Sequence, residues 1–227
     1  MEPHLSIVMP ALNEAGRIVQ ALERLARAAP GAERVVCDGG SSDGTPDLAQ
    51  PWARVVAAAR GRARQMNAGA AAASGDWLLF LHVDTAPPEG FAAEIARAAQ
   101  GGFRAGAFGL RIAGRHPLLP LLAWGAGLRT RCRGLAFGDQ GLFVRRDFFL
   151  ARGGFPDLPL MEDYAWTRDL RRAGVALFIS PLAMTTSGRR WDEWGFWRTW
   201  WRMRRNQWRF ARAGKAEALA GDYGDVR

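Results

Sequence analysis

Several short polar clusters in this chain carry residue types able to do chemistry. Asp84 closes an apolar run from Trp77 to Val83, and a carboxylate at the mouth of a sheet can hold a divalent cation against a diphosphate. His82 lies two residues earlier; on a strand the two share a face, so His82 either joins the site or packs as a strand histidine, and packing is the expectation. Glu162 and Asp163 open a helical segment after Pro156 and Pro159. One of this pair can take the proton of an attacking hydroxyl; the alternative is acidic charge complementing a helix N-terminus. Asp38 begins Asp-Gly-Gly-Ser-Ser-Asp-Gly-Thr at 38–45. Its carboxylate can accept from a base N–H or a ribose hydroxyl, and the glycines admit a ligand close to the backbone. Asn13 and Glu14 follow Pro10, and Glu14 can bond a ribose hydroxyl or complement the helix it opens. Arg62 and Arg64 sit where a helix starts after Gly61, and helix N-terminus and guanidinium both favour phosphate. Asp139 and Gln140, between Gly138 and Gly141, either face a second substrate or form a tight turn.

The pattern of elements gathers these clusters. Leu5–Met9, Arg34–Cys37, Arg54–Ala57 and Trp77–Val83 read as strands, separated by helical stretches at Glu14–Ala29, after Thr45 and at Gly61–Ala73. Alternation of this kind implies right-handed crossovers and a mostly parallel sheet, and such sheets bind ligands outside the carboxyl ends of their strands. Pro10 to Glu14, Asp38 to Thr45 and Asp84 all fall at those ends. The second half is less regular: strands at Gly106–Ile112, Gly141–Arg145 and Val175–Ile179, and a helix at Glu162–Ala173. The chain reads as a single α/β domain of twisted sheet flanked by helices. A nucleotide-binding half spans 1–113, an acceptor and catalytic half 114–186, and a Trp/Arg-rich helix and tail 187–227.

Composition narrows the class. The 227 residues contain 48% hydrophobic side chains and a net charge of +9, with Lys215 the only lysine. Arginine-rich surface suits phosphate, acidic membranes or nucleic acid, although arginine-rich composition alone explains it as well. Cys37 and Cys132 form neither a disulfide framework nor a zinc pattern, which points to reduced thiols and a cytoplasmic protein. The N-terminus lacks a signal-peptide pattern. The apolar stretch Pro117–Leu128 is far shorter than the ~20 residues needed to cross a bilayer. A soluble protein, or one peripheral on the inner face of the membrane, is expected.

The order and spacing of Ser6–Glu14, Asp38–Thr45, Gly61–Gly69, Leu81–Thr85 and Glu162–Asp163 resemble glycosyltransferase family 2, as a small bacterial member with the GT-A fold and no membrane spans. The resemblance covers roughly residues 5 to 195. It implies inverting transfer of a sugar from a nucleotide-diphosphate donor to an acceptor hydroxyl, with Mg²⁺ or Mn²⁺ as cofactor. It places Pro10, Asn13 and Glu14 beside base and ribose, Asp38 on the base, Arg64 near the diphosphate, Asp84 on the metal, and Asp163 as catalytic base. His82 replaces the first acid of the family's D-x-D-like motif. Ser187-Gly-Arg-Arg-Trp191 only echoes the Q-x-x-R-W motif of processive members, leaving Arg190 and Trp191 as contacts to acceptor or leaving diphosphate.

Trp194, Trp197, Trp201 and Trp208 fall within about 60° on a helical projection, beside an arc of Arg198, Arg202, Arg205 and Arg209. From Ser187 to Ala213 eight arginines oppose Asp192 and Glu193. Such a helix can lie on an anionic membrane and meet a lipid-linked acceptor, or its tryptophans can pack on the domain or a partner subunit, which is the expectation. Nucleic acid is disfavoured because no recognised module accompanies the charge. Two other functions compete. A nucleotidyltransferase would want a glycine-rich phosphate loop where Pro10-Ala-Leu-Asn-Glu14 stands, and a non-catalytic membrane-associated nucleotide-sugar-binding protein has only His82 in its favour.

Overall fold

The structure, a computed structural model, describes residues 3–213. Strands β1 (Leu5–Ala11), β2 (Glu33–Asp38), β3 (Arg54–Ala57) and β4 (Trp77–Phe80) run parallel, with α1 (Ile18–Ala28), α2 (Thr45–Ala49) and α3 (Arg62–Ala72) in the crossovers. After β5 (Thr85–Ala86) and α4 (Phe91–Gln100) come β6 (Ala105–Ala113), α5 (Leu119–Arg133), a single 3-10 turn at Gly138–Gln140, β7 (Phe143–Arg145) and α6 (Arg146–Ala151). The chain continues through α7 (Glu162–Arg172), β8 (Phe178–Ser187), α8 (Arg189–Trp194) and α9 (Phe196–Ala213). All eight strands form one sheet, in the order β3-β2-β1-β4-β7-β6-β8-β5.

Each layer follows from residue type. Every residue of β1 is buried, as expected of a central parallel strand covered on both faces. Ile18, Ala21, Leu22 and Leu25 form the buried stripe of α1, which packs over one face with Ile7, Met9 and Leu79. The other face carries Val8, Leu78 and Phe80 against α3 and α7, with Phe149, Phe155 and Trp166 closing an aromatic cluster. Close approach of α3 requires Gly69, where a Cβ would lie 2.4 Å from Val8 Cγ1 and from Cys37 Sγ.

The sheet is mostly parallel, as expected, and the second half adds a further parallel pair, β6 with β8; β7 pairs antiparallel with both β4 and β6 and so joins the two halves, and β5 pairs antiparallel with β8. Two expectations change. The last strand starts at Phe178 rather than Val175 and runs to Ser187, because residues 183–187 pair with 109–113 of β6 past an irregularity. The helix expected across 187–213 breaks at Gly195, whose φ of 81° only glycine adopts readily. Trp194 therefore does not share a helix with Trp197, Trp201 and Trp208. The Arg209 side chain and residues 214–227 lie outside what the structure describes. Among the described residues, no helix is long and apolar enough to cross a membrane.

Candidate active site

The carboxyl ends of β1, β2 and β4 form one edge, with Ala11 opposite Asp38 and Val8 opposite Phe80. Two loops knit together there. Asp38, buried at the end of β2, accepts from the Gly40 and Ser41 amides and from the Ser41 hydroxyl, so its carboxylate shapes the loop. Asn13 takes the left-handed conformation (φ 55°) and is exposed; its amide donates to Ser41 Oγ and its Oδ1 accepts from the Ser42 amide. The Glu14 amide donates to Thr45 Oγ1 at 2.8 Å, and the Glu14 carboxylate pairs with Arg17. Pro10 lies inside β1, buried and opposite Cys37, rather than in the loop. Gln65, fully buried on α3, donates from Nε2 to the carbonyls of Ala11 and Cys37 and so fixes the roots of both loops.

Beside this edge β4 ends at Phe80, and a turn closed by Thr85 N–H donating to His82 O carries His82 and Asp84. The strand expected to reach Val83 is thus shorter, and strand alternation does not govern these two side chains. His82 is not packed in the sheet. It is half-buried, with Nε2 beside Gly138 among Arg62, Asp84, Asp163 and Arg190. Burial, helped by the Arg62 charge, pushes its imidazole down to about 4 against the pull of Asp84 and Asp163. Asp84 is exposed at the rim, where it lines a cleft of about 170 Å³ with Arg17, just before α1, and with Gln20 and Arg24 of α1.

The second half brings the remaining acids. Met161, at φ 66°, turns the chain into α7, and Trp166 and Leu170 anchor that helix in the core. Its first turn thereby holds Glu162 and Asp163 beneath the rim. Glu162 is buried and paired with Arg62 (Nε to Oε1, 2.9 Å); burial and the neighbouring Asp163 raise its pKa, and Arg62 opposes them. Asp163 accepts from the Gly138 and Tyr164 amides. Gly138 is hemmed in: a Cβ there would lie 2.9 Å from His82 Nε2 and 3.0 Å from Asp163 Oδ2. Asp139 has one buried carboxylate oxygen with no hydrogen-bond partner, and burial, with the Asp163 charge, pushes its pKa up to about 6.

Other expected residues stand apart. Arg64 leaves the cluster for an exposed ion pair with Asp157 at 2.8 Å, and Arg62, two residues earlier on α3, reaches the acids. Gln140 does not face an acceptor: fully buried, it donates to Phe108 O and Thr130 Oγ1 and accepts from Arg129 and the Phe137 amide. Trp191 packs with Leu119 and Phe196 in a small apolar cluster, so it too is a packing residue. Arg190 is half-buried, and its charge is felt at His82. Sequence reasoning passed over Gln65 and Gly138, whose roles depend on which atoms surround them.

The site was next compared with known proteins. The profile of glycosyl transferase family 2 matches residues 6–118. The chain belongs to glycosyltransferase family 2. This family 2 chain is 38% identical over 91 residues to a PGL/p-HBAD biosynthesis glycosyltransferase of Mycobacterium tuberculosis, an alignment that covers 36% of each chain. A mannosyltransferase from Pyrobaculum calidifontis, solved with GDP-Man and Mn²⁺, superposes with a TM-score of 0.69 at 19% identity, over 100% of this chain and 66% of that one. A glucosyl-3-phosphoglycerate synthase from M. tuberculosis, with Mn²⁺ and UDP-glucose, gives 0.59 at 24% identity, over 81% and 70%. The family 2 chain therefore has the GT-A fold, and it spans about a third of the length of the curated relatives it matches.

Proposed function

We propose that this chain transfers a sugar from a nucleotide-diphosphate donor to an acceptor hydroxyl, with inversion at the anomeric carbon. The supporting observation is the convergence of acids from separate elements: Asp84 and Asp163 are felt both at His82 and at Asp139, and Gly138 lies against His82 and Asp163. The Asp38 and Asn13 loops offer a rigid polar cradle for base and ribose. Asp163 is the base: two amides orient its carboxylate, whereas Glu162 is held by Arg62. The acceptor oxygen bonds to the anomeric carbon as its proton passes to Asp163, and the bond to the diphosphate oxygen breaks with its electrons leaving on the nucleoside diphosphate. Charge neutralisation of that leaving group falls to Arg190, whose charge is felt at His82, since Arg62 is paired with Glu162.

The residues present fit a divalent cation. Asp84 is an open carboxylate, and Asp139 has an unpartnered buried oxygen; both are the hard donors that Mg²⁺ and Mn²⁺ take. Among the described residues no group of three or more His, Cys, Asp or Glu side chains could hold a metal ion, so substrate phosphate oxygens would complete the shell, as is usual for Mg²⁺. When bound, the cation supplies Lewis acidity at the departing diphosphate. The neighbours were solved with Mn²⁺, and Mn²⁺ is our first choice for assay.

The test is a donor screen with UDP-glucose, UDP-GlcNAc and GDP-mannose by thermal shift in Mn²⁺, followed by donor hydrolysis. Asp163→Asn is expected to keep donor affinity and to lower turnover ~10²–10⁴-fold, the span of general-base contributions. Parental turnover in that variant would move the base elsewhere.

A further inference from the structure

Among the described residues nine large apolar side chains are exposed, and seven of them lie on α5 and α9: Leu121, Trp124 and Leu128 on one, Trp197, Trp201, Met203 and Trp208 on the other. The spacing on α5 is i, i+3, i+7, and the tryptophans of α9 fall at i, i+4, i+11, so the α5 set and the three tryptophans each form a stripe, with Met203 on another side of α9. Trp124 and Trp201 are each 65% exposed and Trp197 63%, values that tryptophan rarely shows on a monomer surface. The helices are neighbours. Leu119 and Leu122 of α5 meet Phe196 and Trp200 of α9 in one apolar cluster, and the Arg204 charge is felt at Arg129. Neither helix contains an Asp or Glu, while arginines recur at 129, 131 and 133 on α5 and at 198, 202, 204 and 205 on α9.

We propose that α5 and α9 together form a docking surface for an anionic lipid bilayer and, resting on the sugar-transfer reading above, that the acceptor is a molecule anchored in that bilayer. Charge decides the occupant. A second copy of this surface would set arginines against arginines with no acid to pair them. Nucleic acid would use the indoles for stacking but leave Leu121 and Leu128 without a partner. An interfacial membrane accepts all three kinds of side chain at once, with indoles at headgroup depth, aliphatic groups below, and arginines on lipid phosphate. The surface also abuts the chemistry. From the end of α5, Arg129 bonds Gln140 and covers Phe137 at 4.3 Å, one residue before the Gly138 amide that holds Asp163. On the other side α8 carries Arg190 toward His82. An acceptor emerging from the bilayer at this surface arrives beside the base.

The experiment uses the full chain, with vesicles of phosphatidylglycerol and phosphatidylcholine against vesicles of phosphatidylcholine alone, at low salt and at about 0.5 M salt, where exposed charges are screened. Co-sedimentation with the anionic vesicles at low salt is expected, weakened by salt, with indole fluorescence quenched by brominated acyl chains. Combined Trp124→Ser, Trp197→Ser and Trp201→Ser should weaken partitioning at least tenfold, and Arg198→Gln about fivefold, both with parental melting temperature and donor hydrolysis. No partitioning at low salt, partitioning unchanged by the triple substitution, or a dimer whose formation buries these tryptophans would each overturn the proposal. So would retention on duplex DNA without vesicle binding. Donor hydrolysis by a protein that ignores vesicles sinks the docking surface alone. Vesicle binding without hydrolysis of any donor leaves the surface standing and removes the sugar-transfer reading.

Discussion

Gly138→Ala tests the geometry of the catalytic corner with one methyl group. An ordinary Cβ contact begins near 3.4 Å, and here the new carbon would start 2.9 Å from His82 Nε2 and 3.0 Å from Asp163 Oδ2. The shortfall is about 0.4 to 0.5 Å on two sides at once. Gly138 does not have a positive φ, so the backbone itself tolerates alanine and the strain falls on the side chains. Either His82 and Asp163 move apart, or the 137–140 turn retreats and the Gly138 N–H to Asp163 bond lengthens. Overpacking of this kind costs about 1–3 kcal/mol, which in a chain of this size lowers Tm by roughly 2–10 °C. Misplacement of a reacting group by about 1 Å costs about a hundredfold, so half that displacement should lower kcat roughly tenfold, more if the amide bond to Asp163 is lost. The donor loops at Asn13 and Asp38 are tied by other residues, so the KM for the donor should hold within about twofold. The assay is release of nucleoside diphosphate in Mn²⁺ beside a melting curve. A variant with parental kcat and parental Tm would show that His82, Gly138 and Asp163 do not meet as described.

Glu33 joins three segments, accepting from the hydroxyls of Ser6 and Ser74 and from the Ser74 amide. Burial pushes its pKa up, but these bonds and the nearby His4 outweigh it and the net shift is downward. Its contribution is therefore present above the unfolded pKa and lost as pH falls through the folded value. Glu33→Gln should cost about 1–2 kcal/mol at pH 7, and the gap to the parent should close in acid below about pH 4; a pH-independent difference in denaturant midpoints would contradict this. Cys37 is fully buried and its thiol is pushed up to about 12 by burial, whereas Cys132 is exposed. Ellman's reagent should find one thiol in the native protein and two after unfolding. Gly125 lies exposed inside α5 with open space around its Cβ position, so Gly125→Ala should stabilise by about 0.5–1 kcal/mol, read as a higher Tm.

Much of the donor half was legible because its signals are local. The cores of β1 and β2, all of β3, and α3 follow from short apolar runs punctuated by glycine and proline, and the structure places them within a residue or two of expectation. α5 was not read as a helix, since Pro120, Gly125 and Gly127 argue against one. Proline is tolerated in a first turn, where its missing N–H costs nothing, and the packing of Leu119 and Ala123 offsets the glycines. Site residues were harder for a different reason. Polar type shows what a side chain can do, not whether its partners are already inside the protein. Gln140 spends its amide on Phe108 and Thr130, and Arg64 spends its charge on Asp157. Arg62 and Arg64 differ by two positions on one helix, and only the tertiary location of Glu162 separates their roles.

The Gln65 side chain, bonded from a third element to carbonyls at the ends of two strands, Ala11 and Cys37, has a consequence for how this scaffold can vary. The frame under the two loops is set by an amide that belongs to neither of them. On the proposed reading of these loops as a nucleotide cradle, substitutions at 12–15 or 40–45 would retune which base or ribose is admitted while the spacing between the strands stays fixed. Selectivity and architecture would then be separately editable, with Gln65 the position at which an edit loses both together.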